Sequence, residues 1–235
     1  MISVCMTTYN GEKYLKAQLS SILSQLSYDD ECLISDDGST DHTIAIIQEF
    51  QNKYPQIRLL QGPRKGVIAN FNYCISQSKG DFIFLADQDD VWHANKVEKI
   101  LALFQLQPQT KLILSDLAIV DSDLKLVHTS YFKYKKVKTG TIANIIRNRY
   151  IGAGMAFRAD LKHEILPIPK HVPMHDMFIG IMAEPNVALL PEALTDYRRH
   201  EDNASQLQTK SSKLQQLIWR VNLIWAIIYK KFIRK

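Results

Sequence analysis

Phe82-Ile83-Phe84-Leu85-Ala86-Asp87-Gln88-Asp89-Asp90 sets an apolar run directly against three carboxylates. The run has the length of a strand, and its lack of alternation predicts burial on both faces, as in a parallel sheet. A buried strand that stops on clustered acids must deliver them to the sheet edge, facing water or an ion. Like charges this close raise one another's pKa unless a cation compensates them. Carboxylate oxygens are the ligands that hard divalent ions prefer, and Mg²⁺ takes one or two of them while sharing the phosphates of a substrate. The stretch therefore reads either as a metal site for a phosphorylated ligand or as an acidic turn ahead of a helix predicted from Asn95, since Asp is common at turns and helix starts.

The residues before it alternate strand and helix. The pattern predicts strands over Ile2–Thr7, Glu31–Asp36 and Ile57–Gln61, with helices from Glu12 to about Leu26, Asp41 to about Lys53 and Val67 to Ser78. Such βαβ repetition implies a mostly parallel sheet, which binds ligands beyond the carboxyl ends of its strands. Three of those ends carry polar clusters: Thr7-Thr8-Tyr9-Asn10, Asp36-Asp37-Gly38-Ser39-Thr40-Asp41 and the acids from Asp87. After a helix to Gln107, strands are predicted at Lys111–Asp116, Leu117–Val120, Ala153–Arg158, Val187–Leu190 and Ala193–Tyr197. Between them lie a basic, low-apolar segment, Lys133 to Lys138, and a proline loop (Pro167, Pro169, Pro173) before a helix starting near Asp176.

Bulk properties bound the class. With 46% hydrophobic and 23% charged residues, 235 residues suit a soluble globular protein with one large α/β domain. Cys5, Cys32 and Cys74 are widely spaced and include no Cys-x-x-Cys pair, so reduced, buried thiols are expected rather than disulfides or zinc. The chain opens on a strand rather than a signal peptide, which leads to the expectation of a cytoplasmic protein. Residues 210–235 hold seven bases and no acid; without them the chain has 22 bases against 24 acids. A slightly acidic body does not suit a nucleic-acid partner.

The four segments Thr7-Thr8-Tyr9-Asn10-Gly11, Asp36-Asp37-Gly38-Ser39-Thr40-Asp41, Asp87-Gln88-Asp89-Asp90 and His175-Asp176, in this order, resemble the family 2 glycosyltransferases of the GT-A fold. The resemblance covers roughly residues 1 to 203. It implies an α/β fold, a Rossmann-like mixed but mostly parallel sheet flanked by helices, as a domain over 1–205, with a C-terminal amphipathic helix over 210–235. It implies a nucleotide-sugar donor held by Thr7, Tyr9, Asp37 and Asp87, and Mg²⁺ or Mn²⁺ held by Asp89 and His200. Asp176 takes the place of the family's general base, with His175 where the family usually has Glu. Arg64, Asn70, Gly154, His175, Arg198 and Arg199 are further expected substrate contacts. The chemistry is consistent: uracil and thymine present an imide donor that Asp37 can accept, and Tyr9 offers a stacking face. The alternatives are that Asp36 or Ser39, and Asp176, only cap helices.

Asp-Gln-Asp-Asp, His-Asp and the ending Tyr197-Arg-Arg-His200-Glu-Asp-Asn203 look like the bacterial rhamnosyltransferase branch, which implies dTDP-rhamnose and a cell-surface glycan or lipid-linked acceptor. Another UDP- or dTDP-hexose donor stays open. A nucleotidyltransferase would need a glycine-rich basic loop that Thr8-Tyr9-Asn10-Gly11-Glu12 lacks, and a non-catalytic glycan-binding protein would be expected to lack these acids. Leu214, Leu217, Ile218, Val221, Ile224, Trp225, Ile228 and Phe232 recur at helical spacing, too interrupted to span a bilayer. That helix either lies on an anionic membrane surface, placing the protein at the inner face of the cell membrane, or packs on protein.

Overall fold

The structure, a computed structural model, describes residues 1–200 and 212–233. The expected domain end near 205, Asn203, and the tail residues Lys210, Arg234 and Lys235 lie outside the described residues. The first half runs β1 (Ile2–Thr8), α1 (Leu15–Leu23), β2 (Glu31–Asp36), α2 (Thr43–Gln51), β3 (Ile57–Gln61), α3 (Val67–Gln77), β4 (Phe82–Asp87), β5 (Val91–Trp92) and α4 (Lys96–Leu106). The second half runs β6 (Leu112–Val120), β7 (Leu126–His128), α5 (Tyr131–Lys135), α6 (Thr141–Ile146), β8 (Met155–Arg158), α7 (Leu161–Ile165), α8 (His175–Ala183), β9 (Val187–Arg198) and α9 (Lys213–Ile228).

The strands join one sheet in the order β3-β2-β1-β4-β8-β6-β9-β5, with β7 on β6. β1, β2, β3 and β4 are parallel; β8 runs antiparallel to both β4 and β6. This is the expected mixed, mostly parallel α/β sheet. Side chains alternate between its faces. Cys5, Leu33 and Leu85 face a core shared with α3, α7, α8 and α9. Val4, Met6, Ile34, Phe84 and Ala86 face the core of α1, α2 and α4. Cys5, Cys32 and Cys74 are free thiols and buried, as expected.

Several boundaries differ from expectation. α1 starts at Leu15 rather than Glu12, because the Glu12 amide donates to Asp41 and its carboxylate accepts from the His42 amide, which holds the loop open. The two strands expected over 111–120 are one, irregular in register near Asp116. That carboxylate is buried, accepting from Ser130 Oγ and the Phe132 amide. The two expected over 187–197 are likewise one strand, β9. The basic segment around Lys133 contains α5, capped by Ser130 Oγ accepting from the Lys133 amide at 3.0 Å.

α9 docks on the α/β body through Leu223 and Ile227, which enter the core of α8. Burial of each such side chain contributes about 1.5–3 kcal/mol. Arg220 reinforces the contact by donating to the carbonyls of Ile145 and Ile146 at 3.3 and 2.9 Å. Among the described residues no helix is long and apolar enough to cross a membrane.

Gly154, expected beside the donor sugar, is instead a packing position. A Cβ there would lie 2.5 Å from the Ser115 carbonyl oxygen, so β6 and β8 meet closely only because the side chain is missing. Gly154→Ala should destabilise the protein by about 1–3 kcal/mol, the usual cost of overpacking. A lowered urea midpoint would show it; an unchanged midpoint would contradict this packing.

Candidate active site

Register creates the site. Thr8 pairs with Asp36, Thr7 with Asp87, and Asp36 with Gln61, so the polar ends of four parallel strands share one edge. Asp36 is the organiser of the first two loops. Its Oδ1 accepts from Thr8 Oγ1 (3.0 Å) and Ser39 Oγ (2.5 Å), and its Oδ2 accepts from the amides of Gly38 and Ser39. Asn10 and Ser39 bind across the loops: the Asn10 amide donates to Ser39 Oγ and the Thr40 amide to Asn10 Oδ1.

Beside this scaffold, Asp37 accepts the Gly66 amide on Oδ2 (2.8 Å), while its Oδ1 is buried without a hydrogen-bond partner. An unpaired buried acceptor is costly unless a ligand donor meets it. Tyr9 is 59% exposed, its ring available as a stacking face. Its backbone is fixed by the Gln88 amide, which donates to the Tyr9 carbonyl and accepts from the Tyr9 amide. Thr7 is half-buried in the same strand end. Arg64 lies against Gly38, whose added Cβ would be 3.0 Å from Arg64 Nε.

The acids at the end of β4 divide in role. Asp90 is buried and accepts the Arg198 amide at 2.9 Å, tying the turn to β9. Asp89 Oδ2 and His200 Nε2 are 2.9 Å apart. Burial pushes Asp87 up to about 7, with Asp89 and Asp176 adding repulsion. Asp176, at the head of α8, is raised to about 6 by burial, although it accepts from the amides of Met177 (2.6 Å) and Gly152 (3.2 Å). These carboxylates, drawn from positions 87 to 176, therefore sense one another across the sheet edge.

A crowd of acids of this kind suits a hard divalent ion. Among the described residues no three His, Cys, Asp or Glu side chains form a group able to hold a metal, so Asp89 and His200 would act as a pair. Two protein ligands would leave positions for water and phosphate oxygens.

Five expected substrate contacts make other contacts in the fold. Asn70 is buried under β2, donating to the Ser35 carbonyl and accepting from Ser35 Oγ. His175 is buried below Asp176, its ring stacked on Phe71 at 4.0 Å; burial lowers it to about 3, so it is neutral. Arg198 is buried, donating from Nε to the Asp89 carbonyl and from Nη1 to the Ser122 carbonyl, over the Tyr14 ring. It shapes the acidic turn from behind. Gly154 is the packing position described above. Arg199 donates to the Tyr197 hydroxyl at 2.8 Å.

Three residues beyond those expectations support the site. Gln18 donates to the Asp87 carbonyl at 2.7 Å and Gln88 holds Tyr9. Lys96 is fully buried, donating to the Ala153 carbonyl and Thr195 Oγ1 at 2.8 Å, with its ammonium over the Trp92 ring. Burial lowers its pKa to about 7, against the pull of Asp90 and Asp87. Its signal was present: Lys96 precedes Ile100 and Phe104 at spacings of four, a lysine inside the apolar stripe of α4.

Comparison with known proteins fits this geometry. The model of glycosyl transferase family 2 matches residues 3–163. The chain belongs to that family. Its relatives include an uncharacterized glycosyltransferase of Nostoc sp., 27% identical over 173 residues, covering 71% of this chain and 53% of the relative. The dTDP-rhamnosyl transferase RfbG of Shigella flexneri is 40% identical over 102 residues, 41% of this chain and 35% of that protein. The chain thus spans about half or less of the length of these relatives. The crystal structure of S. aureus TarS 1-349 in complex with UDP-GlcNAc superposes with a TM-score of 0.75 at 19% identity, over 98% of this chain and 67% of that one, which establishes the shared fold.

The raised pKa of Asp176 carries a stability consequence for the chain. Its folded-state pKa of about 6 exceeds the ordinary 3.8, so the folded protein binds the proton more tightly than the unfolded chain does. Stability from this group falls as pH rises from about 4 to 6 and stays reduced above. Asp176→Asn should therefore stabilise the protein at pH 8 by about 1–3 kcal/mol, the advantage vanishing near pH 4. Denaturant curves at the two pH values check it, and a destabilised variant at pH 8 would contradict the raised pKa.

Proposed function

We propose that the chain transfers a sugar, with inversion, from a nucleoside diphosphate donor to a hydroxyl of a cell-surface glycan or lipid-linked saccharide, using Mg²⁺ or Mn²⁺. The observation that carries this reading is that Asp87 and Asp176 interact at the same sheet edge, one at a β4 turn suited to a metal and the other at the head of α8. Tyr9 and the unpaired Oδ1 of Asp37 would take the base, the tyrosine by stacking and the carboxylate from the imide N–H. Asp87 would contact the ribose or sugar, and Thr7 and Arg64 flank the same loops.

Asp89 and His200 would hold the metal, which when bound supplies positive charge to the departing diphosphate. Asp176 accepts the proton of the acceptor hydroxyl as its oxygen bonds to the anomeric carbon. The bond from that carbon to the diphosphate oxygen breaks, and the nucleoside diphosphate leaves. A base whose pKa is raised to about 6 is ionised at neutral pH and still basic enough to take the proton. Its orientation is set by the Met177 and Gly152 amides, so a capping role and a catalytic role coincide.

dTDP-rhamnose is the donor favoured by the 40% identity to the Shigella dTDP-rhamnosyl transferase, although that match covers 41% of the chain. A UDP-hexose donor is the competing reading, favoured by the fold shared with TarS, which was crystallised with UDP-GlcNAc. A thermal-shift screen of nucleotide sugars with Mg²⁺ and Mn²⁺ decides between them, because a ligand bound only to the native state raises its melting temperature. With the donor so named, Asp176→Asn should keep donor binding and lose roughly 10²-fold or more in turnover, the scale of general-base catalysis. Stabilisation by no nucleotude sugar, or near-normal turnover of Asp176→Asn, would count against the reading.

The membrane surface is the second partner in this proposal. Leu214, Leu217, Ile218, Val221, Ile224, Trp225 and Ile228 are all exposed on α9, because docking uses Leu223 and Ile227 instead. An apolar stripe beside bases suits the anionic cytoplasmic leaflet, where it would hold the enzyme as a peripheral protein. In vesicle flotation, the full chain should bind phosphatidylglycerol-containing liposomes and the surface variant Leu217→Glu/Ile224→Glu should not. Equal behaviour of the two would exclude the stripe as the anchor.

A further inference from the structure

We propose that Lys96 is a positioning residue for the transfer step: its buried ammonium holds the Gly152–Gly154 turn in the place from which the Gly152 amide orients the carboxylate of Asp176. The role rests on the reading of Asp176 as the base that receives the acceptor proton.

Lys96 is the first residue of α4, which follows β5 and the acidic turn. It is fully buried, with its Nζ 4.2 Å from the centre of the Trp92 ring. An ammonium in such a place is costly, and an apolar side chain of equal length would fill the same space without that penalty. Two bonds of 2.8 Å offset the cost, donated to the Ala153 carbonyl and to Thr195 Oγ1. Thr195 Oγ1 donates in turn to the same carbonyl at 3.5 Å, so ammonium, hydroxyl and carbonyl close a triangle. Thr195 is itself fixed in β9, paired with Trp92 of β5.

Ala153 is the middle residue of the turn, and the glycines on either side of it are packed tightly. A Cβ on Gly152 would lie 3.3 Å from His175 Nε2 and 3.8 Å from the Cβ of Asp176, and one on Gly154 would strike the Ser115 carbonyl. The turn is thus pressed between β6 and the head of α8, and a shift of the Ala153 carbonyl carries the neighbouring Gly152 amide with it. That amide donates to Asp176 Oδ2 at 3.2 Å. The Met177 amide, which also donates to Asp176, belongs to α8 and does not tie the carboxylate to the rest of the site. Lys96 meanwhile attracts Asp87 and Asp90 through space. One ammonium therefore sets the base relative to the acidic turn, and a misplacement of about 1 Å between reacting groups can cost roughly 10²-fold in rate.

The titration of Asp176 reads this link without a substrate. In ¹³C spectra of the full chain in EDTA, labelled at its aspartate carboxyls, the resonance missing from Asp176→Asn belongs to Asp176, and its midpoint should lie near 6. Lys96→Met frees the turn to withdraw its amide, so the midpoint should rise by roughly one pH unit, the scale of one hydrogen bond to a carboxylate. Thr195→Val keeps the charge and removes one of its two anchors. It should raise the midpoint by less, whereas a purely electrostatic effect of Lys96 would leave it where it is. Ile100→Ala, which opens a cavity one turn along the same helix, should lower the urea midpoint and leave the titration of Asp176 unchanged.

A titration unmoved by Lys96→Met or by Thr195→Val, or moved as far by Ile100→Ala, overturns the role; if Lys96→Met does not fold, Thr195→Val decides alone. Lost turnover in Asp176→Asn together with an unmoved titration refutes the positioning role and leaves the base in place. Near-normal turnover in Asp176→Asn refutes the base itself, and the role of Lys96 with it.

Discussion

Parallel pairing of β1 with β2 on one side and β4 on the other is the constraint on which the rest depends, because it alone places Thr8 beside Asp36 and Thr7 beside Asp87. A slip of one residue in either pairing would turn the strand over. Cys5, Leu33 and Leu85 would leave the core of α3 and α8, and Val4, Ile34 and Phe84 would leave that of α1 and α4. With both faces covered, the register is enforced twice. The crossover helices all return to the same end of the sheet, so the loops after β1, β2 and β4 have one edge to share.

That edge gathers more negative charge than a folded protein holds without cost. Asp87, Asp90 and Asp176 are all raised by burial, and Lys96, the buried cation that pulls on Asp87 and Asp90, is itself lowered to about 7. Lys96 is anchored to Ala153 and Thr195, which lie on the second half of the chain, so it links the acidic turn to the turn before β8 and to β9. A proton or an added cation would relieve the repulsion among these acids. Sites of this kind are where stability is given up for chemistry.

The second half of the chain surrounds that edge rather than extending it. Arg198 reaches from the end of β9 to the Asp89 carbonyl, and His175, the first residue of α8, stacks on Phe71 of α3. Trp219 and Arg220 of α9 line a cleft of about 610 Å³ together with Asp176, so the helix that looks like an appendage in sequence is part of its wall.

Periodicity and punctuation made the first hundred residues legible. Apolar runs ending in polar clusters marked β1, β2 and β4, and the acidic and Asp-Asp-Gly-Ser segments pointed to the one sheet edge on which they meet. These are local properties: strand and helix periods are set by the backbone, and turn residues act within a few positions. Local reading failed over 131–146, where α5 and α6 are short and held by Asp116 and Glu184 from elsewhere. It also could not say where polar side chains point. Asn70, His175 and Arg198 looked like ligand contacts because their residue types suit ligands, yet each is buried against partners such as Ser35, Phe71 and Asp89 that only the fold brings near. For α9 the sequence established an apolar stripe, and the tertiary structure decided that Leu223 and Ile227 dock while the stripe faces outward. Composition and period are written along the chain, but burial and partnership depend on residues tens of positions apart, and those are chosen when the sheet and its two cores close.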